Sequence, residues 1–282
     1  MIRREPPVDA GTFALLEAVA KAAAELDIEW MVTGAAGRVL LLEGVYGLPH
    51  GRATRDIDLG IMVASWDRYH ALVARIRQDS RFRPDPKQLQ RLRFGDDGML
   101  DLVPFGGIES GDRMIRWPPG NDFAMSVIGF REAHADTVSV TLDGLIVPVI
   151  SPAGLVLLKL VAWSERHRAQ PRKDAADLAY VLRHFGAILT EQALFDEYFD
   201  AVEASGFDVD LAASRVLGRK IAMLAEQEAR VFVRILLEGE LHHGTDSLLV
   251  REIGGQLGGV NEERAYHLLQ SLIAGFVEVT NK

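Results

Sequence analysis

The stretch that decides the fold is TRDIDLGIMV, residues 54–63, in which two aspartates stand at the start of an apolar, β-branched run. Asp56 and Asp58 are two residues apart, so on a β-strand both carboxylates project from the same face and can converge on one metal ion. Two unpaired carboxylates beside an apolar strand are costly to bury, and a cation removes that cost. The stretch therefore predicts a strand that begins with a cation-binding acidic pair.

The spacing of this pair is not informative by itself. The sequence has two Asp-x-Asp pairs, and random placement of its 21 aspartates gives about 1.5. The second pair, Asp208 and Asp210, precedes a helical segment, and a helix N-cap explains it. For Asp56, an ion pair with Arg52 or Arg55 stays open as an alternative to a metal.

Two neighbouring segments supply partners for the acidic pair. Ile28 to Thr33 reads as a short strand that ends at Gly34, and a helix follows the turn. A hairpin around residues 95–98 leads into a strand over 99–105, which carries Asp101 between two leucines. Three carboxylates on neighbouring strands can hold Mg²⁺ through oxygen ligands. An Asp101 that only faces outward from its strand remains the alternative.

The remaining pattern predicts two domains of class α+β. A small mixed β-sheet is expected over residues 1–150, ending in a hairpin over 137–150. Ser151 and Pro152 are typical of a helix start, and a helical domain that closes the cleft is expected over 151–282. Apolar periodicity predicts helices over residues 9–26, 38–43, 66–78, 152–165, 174–185, 191–203, 210–237 and 261–276.

Composition excludes several classes of protein. The 282 residues are 48% hydrophobic, which is ample for a packed core and excludes disorder as the main state. The 31 basic and 40 acidic residues give a net charge of −9, so binding of nucleic acid or anionic membrane by bulk charge is excluded. Any such contact needs a local patch, and the candidates are Arg81 to Arg93 and Arg166 to Lys173.

The sequence also predicts where the protein is located and whether it contacts a membrane. Cysteine is absent, which excludes thiol nucleophiles and Cys-ligated zinc. The first residues lack the apolar run of a signal peptide, and no stretch reaches the roughly 20 apolar residues needed to span a bilayer. A cytoplasmic protein without a membrane partner is the expectation.

The order of the motifs resembles a known family. Val32 to Ala36, then a helix, then residues 52–59 are similar to the opening of the DNA polymerase β-like nucleotidyltransferase fold. Within that superfamily the chain is most similar to AbiEii-type toxin nucleotidyltransferases, in which Arg-x-Thr-x-Asp-x-Asp-Leu follows a Gly-Gly or Gly-Ser turn. Residues 158–160, LKL, and 172–178, RKDAADL, match the family's helical lysine and its Arg/Lys-Asp-x-x-Asp-Leu motif. The resemblance covers about residues 30–185.

The resemblance implies an enzyme that moves a nucleoside monophosphate from an NTP to an acceptor hydroxyl with Mg²⁺. The implied metal ligands are Asp56, Asp58 and Asp101, and Asp101 also helps to deprotonate the acceptor. The implied catalytic residues further include Lys159 and Asp174, and the implied nucleotide-binding residues are Thr33, Gly34, Ala35, Arg55, Lys159 and Asp177. The implied partners are tRNA or another RNA as acceptor and a cognate antitoxin protein.

Two features leave alternatives open. Ala35 stands where the family has a second Gly or Ser, so a catalytically silent binding protein stays possible, as does a small-molecule acceptor such as an aminoglycoside. Lys159 lies in an apolar helix, and Asp174 and Asp177 face one way because they are three residues apart. Lys159 can therefore bind phosphate, or pair with these acids as a strut between the domains.

Overall fold

The computed structural model describes residues 8–51, 54, 56–120, 123–258 and 261–280. Contacts divide the chain into two units, residues 1–151 and 152–282. No helix in these described ranges is long and apolar enough to cross a lipid bilayer.

The first unit contains a mixed β-sheet with helices. Its helices are α1 (Ala10–Glu25), α2 (Gly34–Arg38), α3 (Trp66–Ile76) and α4 (Phe130–Ala135), and a π-helix (Val39–Val45) follows α2 directly. Its strands are β1 (Glu29–Thr33), β2 (Asp56–Val63), β3 (Phe82–Pro84), β4 (Arg91–Phe94), β5 (Gly98–Gly106), β6 (Met114–Arg116), β7 (Ala124–Ser126), β8 (Val138–Leu142) and β9 (Leu145–Val149). Seven of them form one sheet in the order β3-β4-β5-β2-β1-β9-β8, and β6 pairs with β7. The predicted α+β class with a mixed sheet is confirmed.

Strand β2 lies at the centre of the large sheet. It runs parallel to β5 and antiparallel to β1. Side chains alternate along a strand, so Ile57 and Leu59 are buried in the core, and Asp56 and Asp58 are half-buried on the other face. The polar face at the start of β2 is where a site can form.

The second unit is helical throughout its regular structure. Its helices are α5 (Pro152–Arg166), α6 (Lys173–Leu189), α7 (Glu191–Glu197), α8 (Phe199–Ala204), α9 (Val209–Leu224), α10 (Gln227–His242), α11 (Leu248–Gly254) and α12 (Glu262–Thr280), with a 3₁₀ turn over Gly244–Asp246. Helices α9 and α12 approach closely through a glycine on each, because a Cβ at Gly218 or Gly275 would clash with a backbone carbonyl of the other helix. Asp208 caps α9 by accepting a hydrogen bond from the Leu211 amide, as the sequence predicts for the second aspartate pair.

Some predicted elements are wrong in extent. The helix predicted over 38–43 begins earlier, at Gly34, and continues as a π-helix. The helix predicted over 210–237 is two helices, because Ala225 adopts an extended conformation between them. Both of these helices pack against α12, so their apolar pattern continues across the break. The short elements β3, β6, β7 and α4, with three to six residues each, have no counterpart in the sequence prediction.

Candidate functional site

A row of polar side chains crosses four neighbouring strands of the sheet. The register pairs Thr33 on β1 with Asp58 on β2, and Asp58 with Asp101 on β5. It also pairs Asp101 with Arg91 on β4. Residues directly opposite on adjacent strands share a face, and Asp56 shares it because it lies two residues before Asp58. The sheet therefore places all three predicted carboxylates on one face, together with an arginine.

Arg91 bridges two of these carboxylates. Its Nε and Nη2 atoms donate hydrogen bonds to the two oxygens of Asp101, both at 2.7 Å. Its Nη2 atom also lies 3.7 Å from Asp56 Oδ2. Asp101 is 9% exposed, so it is not the outward-facing residue of the alternative interpretation. Asp56, Asp58, Asp101 and Arg91 are termed the open cluster below, because the Asp56 side chain is 36% exposed.

The charge of Arg91 is fixed by its surroundings. The hydrogen bonds that Arg91 donates to Asp101 raise the pKa of Arg91, and partial burial opposes that change without cancelling it. The negative charges of Asp101, Asp56 and Asp58 raise it further. Arg91 is therefore a permanent cation beside three carboxylates.

The turn after β1 holds Asp58 in place. Gly34 has a φ of +61°, in the left-handed region that side chains other than glycine rarely adopt. A Cβ on Gly34 would clash with Asp58 Oδ2, so the carboxylate packs against the glycine backbone. Thr33 and Ala35 flank this glycine and are buried, and the Thr33 side chain does not cap α2. The predicted nucleotide-binding turn thus adjoins a predicted metal ligand.

The chain that leads into β2 is tethered by a buried ion pair. Arg38, 1% exposed, pairs with Glu43, which also accepts a hydrogen bond from the Gly51 amide at 3.1 Å. Sequence reasoning missed Arg38, because an arginine that follows a glycine turn reads as a surface residue.

Two arginines that the sequence analysis singles out lie outside the described residues. They are Arg55, a predicted nucleotide-binding residue, and Arg52, a predicted ion-pair partner of Asp56.

The oxygen donors of the open cluster suit a hard divalent cation. Mg²⁺ is usually bound by one or two carboxylates together with substrate phosphates. Asp56 and Asp58 provide such a pair on one face of β2. In the part of the chain that the structure describes, no group of three or more His, Asp or Glu side chains is arranged to hold a metal ion. In this arrangement Asp56 and Asp58 are thus the two carboxylates that can bind Mg²⁺. Asp101 is not grouped with them for this purpose, because both of its oxygens accept hydrogen bonds from Arg91.

A cavity of about 460 Å³ opens beside Asp56. Its lining is apolar at Leu15, Leu16, Ala36, Val39, Leu40, Ile57 and Phe94. Thr54, Asp96 and Asp97 also line it. Its volume lies in the range of small-molecule sites, which are mostly apolar with a few polar groups.

The second unit holds the other predicted site residues in a closed cluster, defined as Lys159, Arg166, Asp174 and Asp177. Lys159 Nζ lies 3.0 Å from Asp174 Oδ1 and 2.6 Å from Asp177 Oδ2, and these three side chains are at most 6% exposed. Arg166 donates two hydrogen bonds of 2.7 Å to the oxygens of Asp174.

Both pKa shifts in the closed cluster favour the charged forms. Burial lowers the pKa of Lys159, but Asp177 and Asp174 outweigh it, and the net shift is upward. Burial raises the pKa of Asp174, but Arg166 and Lys159 outweigh it and lower the pKa to about 2. Lys159 and Asp174 are therefore ionised and paired with each other.

The partners of Lys159 lie in its own unit. Lys159 is on α5, and Asp174 and Asp177 are on α6. The ion pairs therefore join two helices of the helical unit, which corrects the interpretation of Lys159 as a strut between domains. Binding of phosphate by Lys159 stays a prediction.

Sequence reasoning also missed the role of Arg91, because Arg91 lies within the basic stretch from Arg81 to Arg93 and resembles its other arginines. A signal was available, since a hairpin that turns at residues 95–98 pairs 94 with 98 and hence Arg91 with Asp101. The patch is also less positive than its sequence indicates. Arg81 pairs with Asp79 at 2.6 Å, and Arg93 pairs with Asp85 at 2.7 Å.

The chain matches a known protein family over most of its length. The profile described as "Nucleotidyl transferase AbiEii toxin, Type IV TA system" matches residues 24–243, a range that contains both clusters. No curated protein matches the chain significantly. Similar solved structures include the antibiotic-resistance factor ANT(2'')-Ia, at 16% identity and a TM-score of 0.40 over 71% of this chain and 98% of that chain. An antigenic nucleotidyltransferase-like protein from Paracoccidioides brasiliensis has 17% identity and a TM-score of 0.41 over 74% of this chain and 94% of that chain.

Proposed function

The chain belongs to the AbiEii family of nucleotidyltransferases, and from that membership we propose that it moves a nucleoside monophosphate from an NTP to an acceptor hydroxyl in a Mg²⁺-dependent reaction. The main support for the proposed metal site is the register of β2 against β5, which places Asp58 opposite Asp101 and Asp56 on the same face of the sheet. The packing of Asp58 against Gly34 supports a phosphate-binding turn next to the metal.

In the proposed reaction the acceptor oxygen bonds to the α-phosphorus and pyrophosphate leaves. Mg²⁺ held by Asp56 and Asp58, with Asp101 completing the site, would stabilise negative charge on the attacking and leaving oxygens. Asp101 also helps to deprotonate the acceptor hydroxyl. The first amides of a helix have no partner within the helix, so those after Gly34 are donors for phosphate oxygens. Thr33 and Ala35 place these donors.

The cavity beside Asp56 provides the nucleoside with a mostly apolar site. The remaining predicted residues enter the proposal through the family resemblance alone. These are Arg55 and Asp177 in nucleotide binding, Asp174 in catalysis and Lys159 in both.

We propose RNA, tRNA included, as the acceptor, and a cognate antitoxin protein as a partner. The description of the family as a type IV toxin supports both. Arg168 and Arg172 are exposed in an otherwise acidic chain, and exposed arginines attract a phosphate backbone. The proposed location is the cytoplasm, where NTP and RNA are both present.

Incubation with labelled NTPs, Mg²⁺ and total RNA tests this function. We expect label in a small RNA, and loss of that label in the double variant Asp56→Asn with Asp58→Asn. The matched control, Asp196→Asn with Glu197→Gln, removes two exposed carboxylates of α7 that belong to neither cluster and do not line the cavity, and should keep the activity. Label only on added aminoglycosides would replace RNA by a small-molecule acceptor. Label on neither would favour a silent binding protein.

A further inference from the structure

The open cluster already contains a cation of its own. The Arg91 guanidinium lies 2.7 Å from both oxygens of Asp101 and 3.7 Å from Asp56. These are two of the three carboxylates that the proposed function assigns to Mg²⁺. A metal ion that uses Asp101 must therefore share its oxygens with Arg91 or displace it.

The sheet fixes the backbone of Arg91 next to these carboxylates. Arg91 stands directly opposite Asp101 in the antiparallel pair of β4 and β5. Its carbonyl accepts a hydrogen bond from the Asp85 amide at 3.0 Å, and the preceding residue, Gln90, accepts one from the Leu102 amide at 2.9 Å. Arg91 cannot leave the site by a backbone shift without breaking this ladder. Only the side chain can swing away.

Two cations at one pair of carboxylates repel each other. Two like charges about 4 Å apart repel each other even in bulk water, and they repel more strongly at a partly buried site. A divalent ion doubles this repulsion. A nucleoside triphosphate brings negative charge that offsets it, so the metal and the nucleotide should enter together.

We propose that Arg91 is a built-in competitor of the metal ion: it occupies the Asp101 side of the open cluster in the nucleotide-free protein and weakens binding of metal alone. The inference rests on the proposed function, since that function supplies the metal. Beyond that function, the inference states that Arg91 lowers the affinity of the site for the metal ion. The alternative role of Arg91 is to position Asp101 for the metal, which predicts the opposite effect of removing it.

Binding of Mn²⁺ to the full chain without nucleotide, followed by the EPR signal of free Mn²⁺, separates these roles. Arg91→Met keeps the apolar stem and removes the charge. We expect it to tighten Mn²⁺ binding by at least about fivefold. Arg93→Met is the matched control, because Arg93 lies two residues away on the same strand, is 54% exposed and pairs with Asp85, outside the open cluster. It should change the affinity by less than about twofold, since exposed charges are screened.

The double variant Asp56→Asn with Asp58→Asn reports Mn²⁺ bound elsewhere on the acidic surface, and this background is subtracted. If Arg91→Met does not fold, Arg91→Gln removes the charge with hydrogen bonding retained and takes the same test. Unchanged or weaker Mn²⁺ binding after loss of Arg91 overturns the inference and leaves the proposed function standing. Binding at this background level in both the wild type and Arg91→Met overturns both, whereas binding above it in Arg91→Met alone supports the inference.

Discussion

The two clusters both combine aspartates with basic side chains, but they differ in access to solvent. In the open cluster the side chains of Asp56 and Arg91 are 36% and 20% exposed, whereas Lys159 and its two acids in the closed cluster are at most 6% exposed. A cation in the open cluster can exchange with an ion from solution. Removing Lys159 from the closed cluster leaves two buried carboxylates with Arg166 as the one remaining cation of the cluster. We therefore expect the open cluster to exchange its cation for a ligand and the closed cluster to contribute mainly to stability.

The largest expected effect is that of Lys159→Met on stability. The change should lower the free energy of unfolding by about 3–5 kcal/mol, because it leaves Asp174 and Asp177 buried with less positive charge. Chemical denaturation measures it. The control Lys173→Met removes a more exposed lysine from the same unit and should cost no more than about 0.5 kcal/mol.

The same variant also tests the phosphate role of Lys159. Unchanged unfolding with a much weaker dissociation constant for NTP would show that Lys159 acts on phosphate, and the closed cluster would then belong to the site. Lower stability with normal nucleotide binding by the folded fraction would remove Lys159 from the site.

Gly34→Ala should have the next largest effect. It introduces both a strained left-handed alanine and a clash with Asp58, for a cost of about 3 kcal/mol in unfolding free energy. Gly47→Ala is matched, since Gly47 has a φ of +67° but no atom within 4 Å of an added Cβ, and its cost should be about 1 kcal/mol. Equal costs in denaturation experiments would mean that Gly34 does not hold Asp58.

The pH dependence of stability sharpens the description of the closed cluster. The pKa of Asp174 is lowered from 3.8 to about 2 in the folded state, so its stabilisation is complete above pH 3.8 and is lost as the pH falls towards 2. The loss should be about 2 kcal/mol. Arg166→Met should reduce this contribution and move its loss to higher pH in melting experiments between pH 5 and 2. Arg168→Met, on an exposed arginine, should follow the wild type.

The smallest expected effect is that of Arg91→Met in the open cluster. The metal-free protein should lose about 1 kcal/mol, because the pair is only partly buried. Mg²⁺ should restore this stability, since a second cation can take the place of the first. Mg²⁺ should not restore Lys159→Met. If Mg²⁺ restored the stability of both Arg91→Met and Lys159→Met, or of neither variant, the two clusters would not differ in their access to metal ions.

Local patterns were sufficient to predict the parts of the fold that depend on neighbours in sequence. The alternation in β2, the glycine turn after β1 and the helix start at Pro152 each follow from residue types within a few positions. The π-helix over Val39–Val45 could not be predicted this way, because a run of apolar residues fits an α-helix equally well. The break at Ala225 was missed because the helices on both sides bury one face against α12.

The carboxylates of the open cluster could be predicted from the sequence, but its arginine could not. Asp56, Asp58 and Asp101 stand out in sequence because acids interrupt apolar strands. Arg91 does not stand out, since arginine is common on exposed strands and its role depends on the register of β4. The sequence left open whether Lys159 binds phosphate or pairs with Asp174 and Asp177. The structure shows that it contacts both acids, because α5 packs against α6.

Thermal unfolding in the presence of Mg²⁺ and NTP tests the central claim, that Asp56 and Asp58 form the nucleotide-binding metal site. A ligand that binds only the folded state raises its stability, by about 2.7 kcal/mol at one hundred times the dissociation constant. The melting temperature of the wild type and of the Asp196→Asn, Glu197→Gln control should rise with ligand concentration. The double variant Asp56→Asn with Asp58→Asn should fold and show no rise. A rise that persists in this double variant would contradict the account.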